Sequence, residues 1–138
     1  MGYLLDTNVL SELRKREPDR AVTGWLRSVG GGPVFTSAMV IGEIRRGVES
    51  LRRRDPAQAE RLDEWLAAIR LGYADRILPV TTEIAEVWAL LTVPDPLPTI
   101  DGLLAATAKV HGLTLVTRNV KDVSRTGVPV VNPFEPLG

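Results

Sequence analysis

The sequence contains no cysteine. Disulfides, thiol catalysis and Cys-based zinc sites are excluded with it. Histidine is nearly absent: His111 is the single copy, which excludes clustered His metal sites and leaves little room for a His-centred triad. Long apolar runs are missing too, and no stretch approaches the ~20 residues that span a bilayer. The chain reaches Asp6 with no basic segment and no long apolar run before it, so no signal peptide is expected and a cytoplasmic protein is the default. There is no excess of either charge, with Lys plus Arg and Asp plus Glu at 17 each. That excludes a strongly basic DNA-coating protein and an acidic disordered tail. It leaves open a nucleic-acid site built on segregated surface charge. The basic set holds 14 Arg and 3 Lys. Arg is the better fork for phosphates, although a GC-rich genome would give the same preference.

What is present is ordinary globular material: 138 residues, 44% hydrophobic and 25% charged. One domain covering residues 1–138 is expected, large enough to build a core without staples. Strand and helix signals alternate along it. Tyr3-Leu4-Leu5 reads as a short buried strand, and Thr7 to Arg14 as a short helix. Pro18 and Asp19 start a second helix, stopped at Gly30-Gly31-Gly32-Pro33. Val34-Phe35-Thr36 is a second strand, and Ser37 caps a helix to about Arg53. Asp55-Pro56 opens the next helix. Ile77 to Val80 is a third strand, whose Pro79 suggests an edge or a strand end. Thr82 to Leu91 is helical, a stiff Pro-rich loop follows, and Thr99 caps a helix to about His111 that Gly112 ends. Leu113 to Thr117 and Val128 to Val131 complete the strands, with a helical turn near Val120 to Ser124 between them. Strands alternating with helices imply parallel pairing through crossovers. The expected architecture is a three-layer α/β/α sandwich with a mostly parallel, about five-stranded sheet.

In such sheets ligands bind outside the carboxyl ends of the strands. Asp6 directly follows the first strand, Asn119 and Asp122 follow the fourth, and Asp101 lies in the first turn of the helix leading into the fourth. Glu43 lies in the second turn of the helix after the second strand, and one turn spans ~5.4 Å, so Glu43 can lean back over the same edge. Each has a bland reading. Asp6 and Asp122 can cap short helices, Asp101 can answer a helix dipole, and Glu43 can face solvent. Gathered together, however, carboxylates repel and raise one another's pKa unless a cation sits between them. Oxygen-only ligands suit Mg²⁺ or Mn²⁺. Such a pocket suggests phosphoryl chemistry with a metal-activated water.

Four ordered blocks carry a family resemblance. Leu4-Leu5-Asp6-Thr7-Asn8-Val9-Leu10-Ser11-Glu12 resembles the opening of a PIN domain, specifically of the VapC/FitB-type toxins of bacterial toxin–antitoxin pairs. Thr36 to Gly47, Asp101 to Ala108 and Leu115 to Asp122 resemble that family's later acidic blocks, and Val131-Asn132-Pro133-Phe134 resembles its close. The resemblance implies a Mg²⁺-dependent endoribonuclease, with Mn²⁺ as a substitute. It places Asp6, Glu43, Asp101 and Asp122 in catalysis. Asp6 and Asp101 take metal contact, Glu43 acts through water or as a base, and Asp122 has an outer acidic role. Thr7, Asn8, Thr117 and Asn119 would hold these carboxylates by hydrogen bonds. The implied partners are RNA, a VapB-type antitoxin and a second copy of the chain, with DNA reached only through the antitoxin.

Arg45, Arg46 and Arg118 are the candidate RNA contacts. The first two have a competing reading as a solvated helix face paired with Glu49, Asp55 and Glu60. Trp25, Trp65 and Trp88 sit on apolar helical stripes, where core and interface read alike. One rival is a phosphatase of the haloacid-dehalogenase type, which wants an Asp where Asn8 stands. The other is a catalytically weak PIN-like module that works by binding its antitoxin and DNA, a reading kept alive by Asn119.

Overall fold

The computed structural model describes residues 2–29 and 32–135. Of the expected stop at Gly30-Gly31-Gly32-Pro33, the first two glycines lie outside the described residues. The chain runs β1 (Tyr3–Leu5), α1 (Thr7–Arg14), α2 (Arg20–Ser28), β2 (Val34–Ser37), α3 (Ala38–Arg52), α4 (Pro56–Gly72) and β3 (Ile77–Leu78). It continues through α5 (Thr82–Leu91), α6 (Thr99–His111), β4 (Thr114–Val116), α7 (Val120–Val123), a 3₁₀ turn at Ser124–Thr126 and β5 (Val130–Val131).

Local chemistry sets the helix starts. Ser37 Oγ accepts the Met39 N–H at 3.0 Å, Asp55 Oδ1 accepts the Gln58 N–H at 3.1 Å ahead of Pro56, and Thr81 Oγ1 accepts the Ile84 N–H at 3.2 Å. Gly112 ends α6 at φ 65, a left-handed conformation that costs glycine nothing. The start of α6 departs from expectation. Pro98, not Thr99, holds the cap position, and no side chain caps the helix. Pro98 offers its carbonyl to the Gly102 N–H at 2.9 Å, and its extended ψ of 137 turns the chain into the helix without a hydroxyl. Strand β3 stops at Leu78, because Pro79 has no N–H to continue a ladder.

The sheet order is β3-β2-β1-β4-β5, and all four pairings are parallel. Tyr3 aligns with Val34 on one side and Thr114 on the other, so β1 is the centre. Strands β2 and β3 are added on one flank, and β4 and β5 on the other. Right-handed crossovers then put α1–α4 on one face and α5–α7 on the opposite face. Leu4 and Leu5 of β1 and Val116 of β4 are fully buried between the helical layers. Among the described residues no helix is long and apolar enough to cross a membrane.

The connection leaves β1 toward β2 and enters β4 from β3. The boundary between β1 and β4 is therefore where the direction of winding reverses. At such a switch point the loops leaving the two strands part to opposite faces and open a crevice at the carboxyl edge.

Candidate metal and phosphodiester site

Asp6 is the residue that β1 delivers to this carboxyl edge. Its N–H donates to Val116 O at 3.0 Å, extending the β1–β4 ladder one residue beyond the strand and fixing the Asp6 backbone. The side chain is buried. Oδ1 accepts the Thr7 N–H at 2.6 Å, so Asp6 does cap α1, and Oδ2 accepts the Thr117 hydroxyl at 2.8 Å and Asn8 Nδ2 at 3.4 Å. The cap and the pocket are one arrangement. Burial raises the Asp6 pKa above the ordinary carboxylate range, with the bonds from Thr117 and Thr7 pulling against it.

Thr117 follows β4 and is a hub. Its hydroxyl donates to Asp6, while its oxygen accepts the Asn119 N–H at 3.0 Å and Asn8 Nδ2 at 3.3 Å. Asn119 then donates its Nδ2 to Asp101 Oδ2 at 2.7 Å, which ties the loop after β4 to the first turn of α6. Asp101 is half-buried. Its pKa is raised first by burial, then by the charge of Asp6, against the Asn119 bond, with Asp122 and Glu43 adding further repulsion. Glu43 comes from α3, where Thr7 Oγ1 donates to its Oε1 at 2.6 Å. Asp122 is exposed on α7. Asp6, Thr7, Asn8, Glu43, Asp101, Thr117 and Asn119 thus stand in one connected region, and Asp122 reaches Asp101 only through its charge.

The donor set can be tested against a cation. None of the salt bridges among the described residues uses Asp6, Glu43, Asp101 or Asp122, so no protein ammonium or guanidinium neutralises them. Among the described residues no group of three or more His, Asp or Glu side chains is arranged to enclose a metal ion. Mg²⁺ keeps several waters and takes one or two carboxylates together with substrate phosphate oxygens, so the chemistry to test is that of a carboxylate pair. Asp6 and Asp101, joined through Thr117 and Asn119, are oxygen donors of that kind.

The candidate RNA arginines separate. Arg45 pairs with Glu49 at 3.4 Å and Asp63 at 3.1 Å, and Arg52 pairs with Glu49, Glu60 and Asp63. Arg46 is exposed on the same helix. Arg118 is exposed beside Thr117, with its guanidinium carbon 3.7 Å from the Phe134 ring centre. Trp25 is core, edge-on to Tyr3 at 5.3 Å, while Trp65 and Trp88 are half-buried. One residue that the sequence reading passed over is Glu12. It is buried, accepts the Asp19 N–H at 2.9 Å and pairs with Lys15 at 2.9 Å, clasping the α1–α2 turn. These bonds, Lys15 first, hold its pKa below the usual range. Its signal was its place in the opening block, one turn beyond Asn8.

An all-parallel five-stranded sandwich with carboxylates outside any ion pair at its switch point defines the class: an α/β domain with an acidic carboxyl edge. The chain belongs to the PIN domain family, whose signature matches residues 3–128. It is 35% identical over 141 residues to the VapC ribonuclease Y4jK of Sinorhizobium fredii, covering 96% of this chain and 98% of that one. It is also 35% identical over 138 residues to Toxin FitB of Neisseria gonorrhoeae, covering 95% and 97%. The crystal structure of FitAcB from Neisseria gonorrhoeae superposes with a TM-score of 0.84 at 35% identity, over 96% of this chain and 99% of that one. A structure of FitAB bound to an IR36 DNA fragment gives the same TM-score at 33% identity, over 99% and 98%.

Proposed function

We propose that this chain is a Mg²⁺-dependent endoribonuclease and the toxin of a toxin–antitoxin pair. The observation that carries the chemistry is the hydrogen-bonded run Asp6–Thr117–Asn119–Asp101, which sets two carboxylates at one sheet edge where none of the ion pairs among the described residues uses either. The names of the relatives, a VapC ribonuclease and the toxin FitB, support the class. When bound, Mg²⁺ supplies charge neutralisation at the phosphate and acidifies water. The rest belongs to the chain. Asp6 and Asp101 hold the ion from two elements, with Thr117 and Asn119 orienting their Oδ2 atoms. Glu43, steadied at Oε1 by Thr7, takes the proton of a water whose oxygen bonds to phosphorus as the in-line P–O3′ bond breaks, and the departing 3′ oxygen takes a proton from solvent. Asp122 adds negative charge at the outer edge. The products carry a 5′-phosphate and a 3′-hydroxyl, and the 2′-hydroxyl takes no part as nucleophile. Mn²⁺ substitutes for Mg²⁺.

The structural relative solved as FitAB bound to a DNA fragment supports an antitoxin partner, and this reading assigns the DNA contact to that partner and pairs the toxin with a second copy of itself. The test is cleavage of RNA with Mg²⁺ and with EDTA, using wild type and Asp6→Ala. Wild type cleaves only with metal, and Asp6→Ala loses at least about a thousandfold of that rate. Wild-type rates in Asp6→Ala sink the assignment, and a 2′,3′-cyclic phosphate end sinks the water mechanism. A wild-type protein that binds its antitoxin and cleaves nothing with either metal is a binding module instead.

A further inference from the structure

Two groups of arginines flank the acidic edge, and the structure gives them different work. On α3, Arg45 and Arg52 share the carboxylates of Glu49 and Asp63 and cross-link α3 to α4. Their charge is spent inside the molecule. Arg118 differs in three respects. It lies between Thr117 and Asn119, the two residues that hold Asp6 and Asp101. It is exposed, and none of the ion pairs among the described residues uses it. Its guanidinium rests on the face of Phe134, 3.7 Å from the ring centre. Glu12, the acid whose charge it feels, is already engaged by Lys15 at 2.9 Å and the Asp19 N–H at 2.9 Å.

Both halves of this stack are anchored. Phe134 packs against the core, and its N–H donates to Asn132 Oδ1 at 2.9 Å, beside the buried Pro133. The Arg118 N–H donates to Asn8 Oδ1 at 3.2 Å, while the other end of the same amide donates to Asp6 Oδ2 at 3.4 Å. One side chain therefore sets the offset between the arginine and the acid. A guanidinium stacked on a ring keeps N–H donors along its edge for a phosphate. A side chain already held there loses less entropy when it binds.

We propose that Arg118, seated on Phe134, is the fork that grips the RNA backbone next to Asp6 and Asp101. The strand then crosses the β4–β5 side of the site, and the ion-paired Arg45 and Arg52 stand clear of it. This rests on the nuclease reading and adds the path of the substrate to it.

The test uses the full chain and a mixed-sequence single-stranded RNA of about 12 nucleotides. Affinity is measured by anisotropy in EDTA across salt concentrations, and cleavage under single-turnover conditions in Mg²⁺. Arg118→Ala weakens binding about fivefold or more and lowers the salt slope by about one. It raises the half-saturating RNA concentration by a similar factor, while the maximal rate stays within about twofold. Arg118→Lys recovers the salt slope but only part of the affinity, because ammonium does not stack and fork as guanidinium does. Arg45→Ala and Arg52→Ala bind within about twofold of wild type. Wild-type binding by Arg118→Ala overturns the proposal, as does an equal loss in Arg45→Ala or Arg52→Ala. If binding falls in Arg118→Ala alone but the wild type cleaves nothing, the RNA path stands and the nuclease reading falls. A wild type that binds no RNA overturns both.

Discussion

Thr117 has the most connected side chain in the site, and its deletion has a calculable consequence. Its oxygen donates once, to Asp6, and accepts twice, from the Asn119 N–H and Asn8 Nδ2. Thr117→Val keeps the shape and removes all three bonds, leaving the half-buried Asn119 N–H without this partner at roughly 1–3 kcal/mol, while Asn8 Nδ2 keeps Asp6. Denaturant unfolding should register that loss. Cleavage should fall about 10–100-fold, the usual effect of removing a group that orients a metal-holding carboxylate; a loss under twofold would show that Asp6 holds its place without it. Asp101 gives a prediction of opposite sign on stability. Burial and the neighbouring Asp6 charge raise its folded-state pKa. A raised carboxyl stabilises the fold fully below the unfolded value, and that contribution is lost as pH rises through the folded value. Asp101→Asn should therefore melt above wild type in EDTA at pH 7.5, with the gap closing as pH falls, while cleavage is abolished. Melting at or below wild type at pH 7.5 would mean that Asp101 ionises at no cost. At this scale the residue types were legible in the sequence and their bonds were not. Asn8 reaches Thr117 and the Arg118 N–H across 109 and 110 positions, joined by β1–β4 pairing rather than by spacing.

Among the elements, the α5–α6 pair governs where Asp101 sits. A Cβ at Gly102 would stand 3.0 Å from Trp88 Cδ1 and 3.1 Å from Thr92 Cγ2, so this glycine is present for close helix approach rather than for its backbone. Trp88 Nε1 is buried there without a hydrogen-bond partner, which leaves the indole no polar tether to give way. Gly102→Ala gains about 1 kcal/mol of helix propensity and loses about 1–3 kcal/mol to overpacking. We expect a net destabilisation of about 1 kcal/mol, because the obstruction is a large ring packed between two helices. The first turn of α6 shifts with it, so cleavage should drop more than the small stability change explains. Activity at the wild-type level would show that α5 yields instead of α6. Sequence periodicity revealed these helices but not their caps or contacts. The Ser/Thr/Asp signal correctly marks Ser37 and Asp55, whose side chains bond the first turn. It places the α6 start at Thr99 correctly but the cap one residue late: Pro98 holds that position, and no side chain caps the helix. The Arg-rich face of α3 also read as a possible RNA surface. Asp63, from the next helix, engages it, and only the folded hairpin brings that carboxylate to Arg45 and Arg52.

For the whole molecule, zero net charge conceals a division of labour. Paired arginines and acids brace α3 against α4, while unpaired carboxylates collect where β1 and β4 part. The fold holds those carboxylates against their own repulsion, so a divalent cation should act as a stabilising ligand of the folded state. At about 100 times its dissociation constant, Mg²⁺ would add ~2.7 kcal/mol. For a chain of this length that is about 6–10 °C in melting temperature. The effect depends on pH in a defined direction. Protonation of Asp6 and Asp101, both raised above the ordinary carboxylate range, competes with the metal. The Mg²⁺ shift should be largest near pH 8 and shrink as pH falls, sooner than for carboxylates of ordinary pKa. Asp6→Asn should remove it at every pH, and Arg118→Ala should leave it intact, because that arginine faces RNA and not the ion. Thermal melts with Mg²⁺ and EDTA across pH 5–8 check each of these without RNA. A shift that persists in Asp6→Asn would place the ion elsewhere on the molecule and separate the metal from the switch point.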